Sequence, residues 1–511
     1  MLSGHPKRLV VVWSLVVAAA ATVLLSHDCR GEKPNIVFIL ADDLGYGELG
    51  CYGQEKIRTP NLDQLASQGM RFTQHYTGAP VCAPARCVLM TGQNLTHAQI
   101  RGNRDSGNGR SFPGQWPITA EVVTLAEMLK QTGYATGGFG KWGLGPTDTT
   151  GSPIRQGFDR FYGYNCQRNA HSYYPPFLDS DETEVTINEH PIPGHRRQPE
   201  GPVLAENYRA DNYAPDLILA EALKFIDQHA DGPFFLYLPF VEPHVAMHPS
   251  QSSVDQYPAD WDEQFGAYRG ENGYLPNPRP RAAYAAMISD LDRHVAAILE
   301  RLEQHGLTKN TLVVFTSDNG PTHGGKDPRW NAGGAGSDFF NSTGGLKGFK
   351  GSCDEGGIRV PCIVKWPGQI KSGSTTDLPS YFPDWFPTLC SIAGGKLPSA
   401  ETQALDGIDL VPELTGKSTP QREEAMMWEF PEYGGIVAIR EDNWKAIRRG
   451  LQSKKPGDWE LYDLAVDRNE TSDLASRQPE IVNVLAEAYL KTRSTQPNFP
   501  LLLYDEIKRD N

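Results

Sequence analysis

Four short stretches of the chain are largely apolar without the alternation that marks a half-exposed strand. Residues 35–41 (NIVFILA), 135–140, 234–240 and 311–317 are rich in β-branched, aromatic or small residues and are bounded by proline, glycine or aspartate. Runs of this kind predict strands buried on both faces. Between them, apolar residues recur at three- and four-residue steps over 124–131 and 216–228. The longest such stripe lies on Arg281 to Gln304, through Tyr284, Met287, Ile288, Leu291, Val295, Ile298, Leu299 and Leu302. These segments predict helices that cover the faces of a sheet. Strand and helix in alternation predict an α/β fold, with a large, mainly parallel sheet flanked by helices. The rhythm is lost over 371–403, and beyond about residue 420 strand-like pieces at 436–440, 444–448 and 459–462 precede a helical pattern at 480–491. The predicted organisation is an N-terminal segment over 1–32, a large α/β domain over 33–420 and a smaller C-terminal α+β domain over 421–511.

Polar residues follow each predicted strand. Asp42 and Asp43 come after the first, Lys141 after the second, Glu242-Pro243-His244 after the third, and Asp318-Asn319-Gly320 after the fourth. Ligands of parallel sheets bind at the carboxyl ends of the strands, so these groups are expected to converge on one site. Asp42, Asp43, Asp318 and Asn319 offer only oxygen donors, which suit a hard divalent cation such as Ca²⁺ or Mg²⁺ and disfavour zinc. Asp-Asp and Ser-Asp-Asn-Gly are also ordinary turn and cap sequences, so the constellation carries the argument rather than either pair.

Composition narrows the function. The 511 residues carry 48 Lys and Arg against 62 Asp and Glu, a formal charge of −14, and no basic patch that would hold a nucleic-acid backbone. Lys7 and Arg8 precede an apolar run from Leu9 to Leu25, the layout of an export signal. Secretion or a periplasmic location is expected, with membrane attachment only if this segment stays uncleaved. Eight cysteines are scattered without a CxxC pair, which argues against a zinc ribbon and a dense disulfide framework. His248 and His294 have weak claims to function, and His294 reads as a surface or interface position on its helix. His323 follows the loop of the proposed metal ligands.

The sharpest segment is Val81 to Gly92 (VCAPARCVLMTG). A lone cysteine is ordinarily a small buried hydrophobe, and Cys87 fits that description. Around Cys82, however, Pro84, Arg86, Leu89, Thr91 and Gly92 match the sulfatase signature, in which the first cysteine is oxidised to formylglycine. Further matching runs are 34–45 (PNIVFILADDLG), 59–63 (TPNLD), 140–145 (GKWGLG), 233–238 (PFFLYL), 317–320 (SDNG) and 357–361 (GIRVP). Over roughly residues 33–480 the chain resembles the formylglycine-dependent sulfatases of the alkaline-phosphatase superfamily, near the arylsulfatase and N-acetylgalactosamine-6-sulfatase branch.

The resemblance implies an alkaline-phosphatase-like fold and hydrolysis of sulfate monoesters, of a sulfated carbohydrate or an aryl sulfate. It implies one Ca²⁺ held by Asp42, Asp43, Asp318 and Asn319, formylglycine at Cys82, and a maturation enzyme that installs it. Arg86 and Lys141 resemble the groups that stabilise formylglycine and its sulfate adduct, His244 the histidine near the ester oxygen, and Lys350 the sulfate-contacting lysine, with Lys347 as the alternative. The residue types suit that chemistry. A hydrated aldehyde offers one hydroxyl to attack sulfur and a second whose deprotonation expels sulfate. Fixed cations answer the negative equatorial oxygens, and His244 or a lysine can protonate the leaving alcohol. One position departs: many relatives read GKWHLG where this chain has Gly143. His171, on an aromatic-polar loop after Gly157-Phe158-Asp159, is the expected substitute for the missing histidine.

Overall fold

The computed structural model describes residues 33–106, 115–322 and 331–505. The N-terminal segment 1–32 and His323 lie outside the described residues. The main sheet contains β1 (Asn35–Ala41), β2 (Met70–Tyr76), β3 (Ala135–Lys141), β4 (Arg160–Tyr164), β5 (Phe177–Ser180), β6 (Thr183–Thr186), β7 (Phe234–Pro239), β8 (Thr311–Ser317), β9 (Arg359–Lys365), β10 (Ser374–Thr376) and β11 (Ser380–Tyr381). Its order is β10-β2-β9-β8-β1-β7-β3-β4-β5-β6, with β11 also on β2. The centre, from β8 through β1, β7 and β3 to β4, is parallel. β9 runs antiparallel to both β8 and β2, and β5 and β6 close the other edge antiparallel. The sheet is therefore large and mainly parallel, with antiparallel strands towards its margins.

β1 lies at the middle, with Ile36 opposite both Phe235 and Leu312, and all seven of its residues are buried. That double coverage is why its sequence shows no alternation. The longer helices are α1 (Pro60–Gln68), α2 (Cys82–Thr91), α3 (Leu125–Gln131), α4 (Ala214–His229), α5 (Pro280–Gln304), α6 (Trp385–Ala393) and α7 (Pro479–Thr492). Ile36, Phe38 and Leu40 pack into one core with Leu89, Leu125, Trp385 and Leu389, whereas Val37 and Ile39 join the opposite core with Leu62, Phe225, Tyr284 and Ile288. Helices thus cover both faces, as the 3.6-residue stripes predict.

A second sheet, β12 (Met426–Phe430), β13 (Ile436–Glu441), β14 (Trp444–Arg449) and β15 (Trp459–Asp463), is antiparallel in chain order and packs against α7. Its attachment to the main sheet is polar as well as apolar. Lys445 on β14 is fully buried and reaches Glu355 at 2.8 Å and Glu470 at 2.9 Å. Glu355 also accepts from Tyr76 of β2 at 2.6 Å and pairs with Arg359 of β9 at 3.2 Å. The indole of Trp428 donates to the carbonyl of Thr77 at 2.8 Å, just upstream of α2.

His294 corrects an expectation. It lies on α5 but is fully buried, with Nδ1 3.0 Å from Glu242 and Nε2 3.4 Å from Asp216. These are ion contacts rather than aligned hydrogen bonds. Burial opposes the charged ring, but the carboxylates of Asp216 and Glu242 prevail and push its pKa up to about 9. The apolar stripe read from sequence defines the centre of the buried face, and this helix is covered well beyond that stripe.

Two stability predictions follow from these buried charges. Lys445→Met removes the buried cation that Glu355 and Glu470 share, leaving Glu355 with Arg359 and Glu470 uncompensated, and is expected to cost about 3–5 kcal/mol. The urea midpoint should fall at unchanged m-value, and adding Glu355→Gln and Glu470→Gln should recover part of the loss. His294 is raised above its unfolded value of about 6.5, so its contribution is complete below that pH and is lost as pH rises through about 9. Urea unfolding at pH 6.5 and 9.5 should show a smaller pH-dependent loss in His294→Gln than in the wild type.

Candidate active site

The carboxyl ends of β1, β3 and β8 and the loop after β7 carry the polar residues that the sequence places there. Asp42 and Asp43 turn sharply out of β1, and Asp43 adopts the left-handed region at φ 68°, a conformation that aspartate tolerates better than most residues. The turn is tied by the Asp43 amide donating to Asp318 Oδ1 at 3.2 Å and the Asp318 amide donating to the Ala41 carbonyl at 3.0 Å. Strand ends separated by some 275 residues thereby share one corner.

Cys82 opens α2, 2% exposed, with Arg86 one turn along the same helical face. Early amides of a helix lack internal partners. The Ala83 amide donates instead to Asn103 Oδ1 at 2.9 Å, and Gly92 in the left-handed region closes the other end. The free N-terminal end of α2 favours negative charge beside Cys82.

Around the sulfur the groups are charged and close. Sγ lies 3.4 Å from Asp42 Oδ1 and 3.6 Å from Lys350 Nζ. Lys141 Nζ meets Asp42 Oδ2 at 2.5 Å, Lys350 Nζ meets Asp43 Oδ1 at 2.6 Å, and Arg86 Nη2 meets Asp318 Oδ2 at 2.8 Å. Arg86 also donates to the Lys141 carbonyl. Burial pushes the Cys82 thiol up to about 12, with Asp42 adding to the rise, so the unmodified sulfur is a thiol at neutral pH. Burial works against ionisation of Asp42, yet Lys141, His244, Arg86 and Lys350 hold it well below the usual carboxylate range. Asp318 takes the opposite course, pushed up to about 7 by burial and the facing Asp42.

The oxygen donors fit a hard cation. Asp43 Oδ2 and Asn319 Oδ1 are buried acceptors without a hydrogen-bond partner among the described residues, with His244 Nε2 3.6 Å from the former. Asp42, Asp43, Cys82 and His244 present donor atoms within 4.8 Å of one another. The three carboxylates are already matched one to one by Arg86, Lys141 and Lys350, so a divalent ion would leave an excess of positive charge facing the cavity, which suits an anionic ligand.

A cavity of about 260 Å³ opens over Cys82. Lys141, His171, His244 and Lys350 line it, joined by Asn103, Gln167, Tyr274 and Tyr433. Lys347 is not among these residues and turns to Asp354 and Tyr462 beside the second sheet, so of the two lysines Lys350 is the one at the cavity. His171 stacks on His244 with ring centroids 5.0 Å apart and planes 14° from parallel. Gly143 has φ 88°, and a Cβ there would come within 2.9 Å of Gln167 Cγ. Gln167, rather than His171, fills the space in front of Gly143. Asn103, Gln167 and Tyr433 carry no pattern signal in sequence: each is a lone polar residue on a loop, brought in by long-range packing. Asn103 is held by Glu432, which accepts its backbone N–H at 2.9 Å.

Known proteins place this arrangement. Residues 34–395 match the Sulfatase family, and residues 350–495 match the C-terminal region of N-sulphoglucosamine sulphohydrolase. Human arylsulfatase A is 33% identical, with 93% of this chain and 90% of that protein covered. An N-acetylgalactosamine-6-O-sulfatase of Bacteroides thetaiotaomicron is 30% identical over 91% of this chain and 94% of its own length. The crystal structure of Ps i-CgsB in complex with k-i-k-neocarrahexaose superposes with a TM-score of 0.73 at 26% identity, covering 92% of this chain and 95% of that one. With a match across its whole α/β sheet and relatives alike along nearly all their length, the chain belongs to the sulfatase family and is a sulfuric ester hydrolase.

Proposed function

We propose that the protein is an exported, calcium-dependent sulfatase that removes sulfate from a saccharide ester through formylglycine made from Cys82. The observation that carries this reading is the placement of residue 82: a buried side chain at a helix N-terminus, facing Lys350 and Asp42, with Arg86 and Lys141 behind. A buried thiol with a strongly raised pKa is a poor nucleophile, whereas a hydroxyl at the same position would stand among cations. The saccharide preference rests on the carbohydrate sulfatases among its relatives and on a polar cavity lined with amide, histidine and tyrosine side chains. Export rests on Lys7, Arg8 and the apolar run that follows them.

Formylglycine, once installed, supplies paired hydroxyls, one for attack on sulfur and one for release of sulfate. The oxygens of Asp42, Asp43, Asp318 and Asn319 would hold Ca²⁺, which adds positive charge next to residue 82 and favours the deprotonated hydroxyl. The chain's own groups then act by position. Lys350 and Lys141 meet the equatorial oxygens of the sulfuryl group, whose charge grows in the transition state. Arg86, bonded to Asp318 and the Lys141 carbonyl, holds the lysine strand against α2. His244 lines the cavity from the loop after β7 with its Nε2 towards Asp43, and the Gln167 and Asn103 side-chain amides border the nucleophile. None of these side chains has to move far, because each is anchored by a buried partner.

Three outcomes test the reading. The tryptic peptide Phe72 to Arg86 from protein made in its native host should carry an aldehyde mass at position 82, and Cys82→Ala should abolish sulfate release; intact thiol in an active wild-type preparation would overturn the formylglycine assignment. Chelation with EGTA should remove activity and Ca²⁺ should restore it, while Asp43→Asn/Asn319→Ala should raise the Ca²⁺ concentration needed. Lys141→Ala should lower kcat by about 10²- to 10³-fold, far more than it changes KM, in assays of inorganic sulfate released.

A further inference from the structure

His171 and His195 form a hydrogen-bonded pair at the mouth of the cavity. His171 Nδ1 lies 2.8 Å from His195 Nε2, and His195 Nδ1 lies 3.0 Å from the carbonyl oxygen of Gly273. That carbonyl can only accept, so His195 Nδ1 carries a hydrogen. A single hydrogen is shared between Nε2 of His195 and Nδ1 of His171. Its location sets the state of the remaining nitrogen, His171 Nε2, which has no hydrogen-bond partner among the described residues while its ring lines the cavity with Cys82, Lys141 and Lys350. Tyr274 packs against both rings, 5.6 Å from His171 and 5.3 Å from His195, and fixes their orientation.

The two states of the pair differ by one proton. In the neutral pair His195 has only its Nδ1 hydrogen, His171 donates Nδ1–H to it, and His171 Nε2 is a bare acceptor. In the loaded pair His195 is an imidazolium that donates Nε2–H to His171 Nδ1, and His171 presents Nε2–H to the cavity as a neutral donor. The positive charge then rests on His195, which is exposed and can be solvated by water. Burial, with Lys141 and Lys350 on the cavity side, holds His171 well below the usual imidazole range. Parking the charge outward avoids that repulsion. His244 is less free to serve, because its Nδ1 is bonded to the Val245 carbonyl and its Nε2 faces Asp43.

We propose that His171 is the proton donor to the leaving oxygen and that His195 is its positioning and charge-holding partner. The proposal rests on the sulfatase reading above. As the S–O bond to the leaving group breaks, its electron pair stays on the leaving oxygen, which takes the Nε2 proton of His171. The shared proton passes from His195 Nε2 to His171 Nδ1, and the pair is left neutral. The bare Nε2 then accepts the proton given up at residue 82 when sulfate is released, which reloads the pair. The Gly273 carbonyl keeps His195 in one orientation throughout.

A donor of this kind matters most where the departing oxygen is most basic. The test is a series of substituted phenyl sulfates of rising phenol pKa plus an alkyl sulfate, with kcat/KM measured for the wild type, His171→Ala, His195→Ala and His195→Gln. Aldehyde content at residue 82 and thermal melting are measured on each preparation. The expected result is that both alanine variants lose about 100-fold or more on the least acidic leaving groups and much less on 4-nitrophenyl sulfate. His195→Gln, which keeps a hydrogen bond but cannot hold the proton, should behave like His195→Ala, and added imidazole should restore part of the His195→Ala rate. Equal leaving-group slopes in folded, aldehyde-bearing variants, or full recovery in His195→Gln, would overturn the relay while leaving the sulfatase reading intact. No sulfate release by an aldehyde-bearing wild type from any substrate would overturn both.

Discussion

The structure turns on charge buried at the end of a parallel sheet. Asp42, Asp43 and Asp318 are withdrawn from water together with Arg86 and Lys141, with Lys350 at the cavity's edge, and none of the buried charges can be tolerated there alone. Each carboxylate therefore needs a cation at hydrogen-bond distance, and each cation needs a carboxylate. This mutual requirement fixes the strand ends relative to α2. It also holds the cavity open above residue 82, because side chains pinned by ion pairs cannot collapse into it.

The same requirement explains why the sheet must be so well buttressed. β1 is covered on both faces, the turn after it is tied to β8, and the long α5 helix braces the Glu242 loop through the buried His294. The second sheet adds the remaining wall. Trp428 holds the Thr77 carbonyl ahead of α2, Glu432 holds the Asn103 amide, and Tyr433 borders the cavity itself. Chemistry and scaffold are thus divided between the sheets: the parallel one supplies charges, and the antiparallel one fixes the rim around them.

Much of this could be read from the chain because its signals are local. β1, β3, β7 and β8 lie where unbroken apolar runs put them, the polar residues after them do meet, and the segment from Cys82 to Gly92 is a motif of contiguous residues. What was not legible depends on distant partners. β2 and β4 mix polar with apolar residues, and the antiparallel placement of β9 between β2 and β8 has no signature in its own sequence. His294 reads as a surface or interface position because nothing nearby in sequence announces Glu242 and Asp216 as its partners. The resemblance favours Lys350 over Lys347, and the fold supplies the reason: both stand in one glycine-rich loop, and the second sheet separates their surroundings. Gln167 fills the gap beside Gly143 for the same reason: the two meet through β4 and its loop, not through spacing.

The contribution of the second sheet has a temporal side. Asp42 emerges early in synthesis, Asp318 and Lys350 come some three hundred residues later, and Glu432 and Lys445 later still. A nascent chain that stops before β14 holds every charged residue around Cys82 and yet lacks Lys445 and Glu470 together, so Glu355 keeps Arg359 but not its second cation and the second sheet stays half built. Truncated or stalled products are thus poor candidates for partial activity.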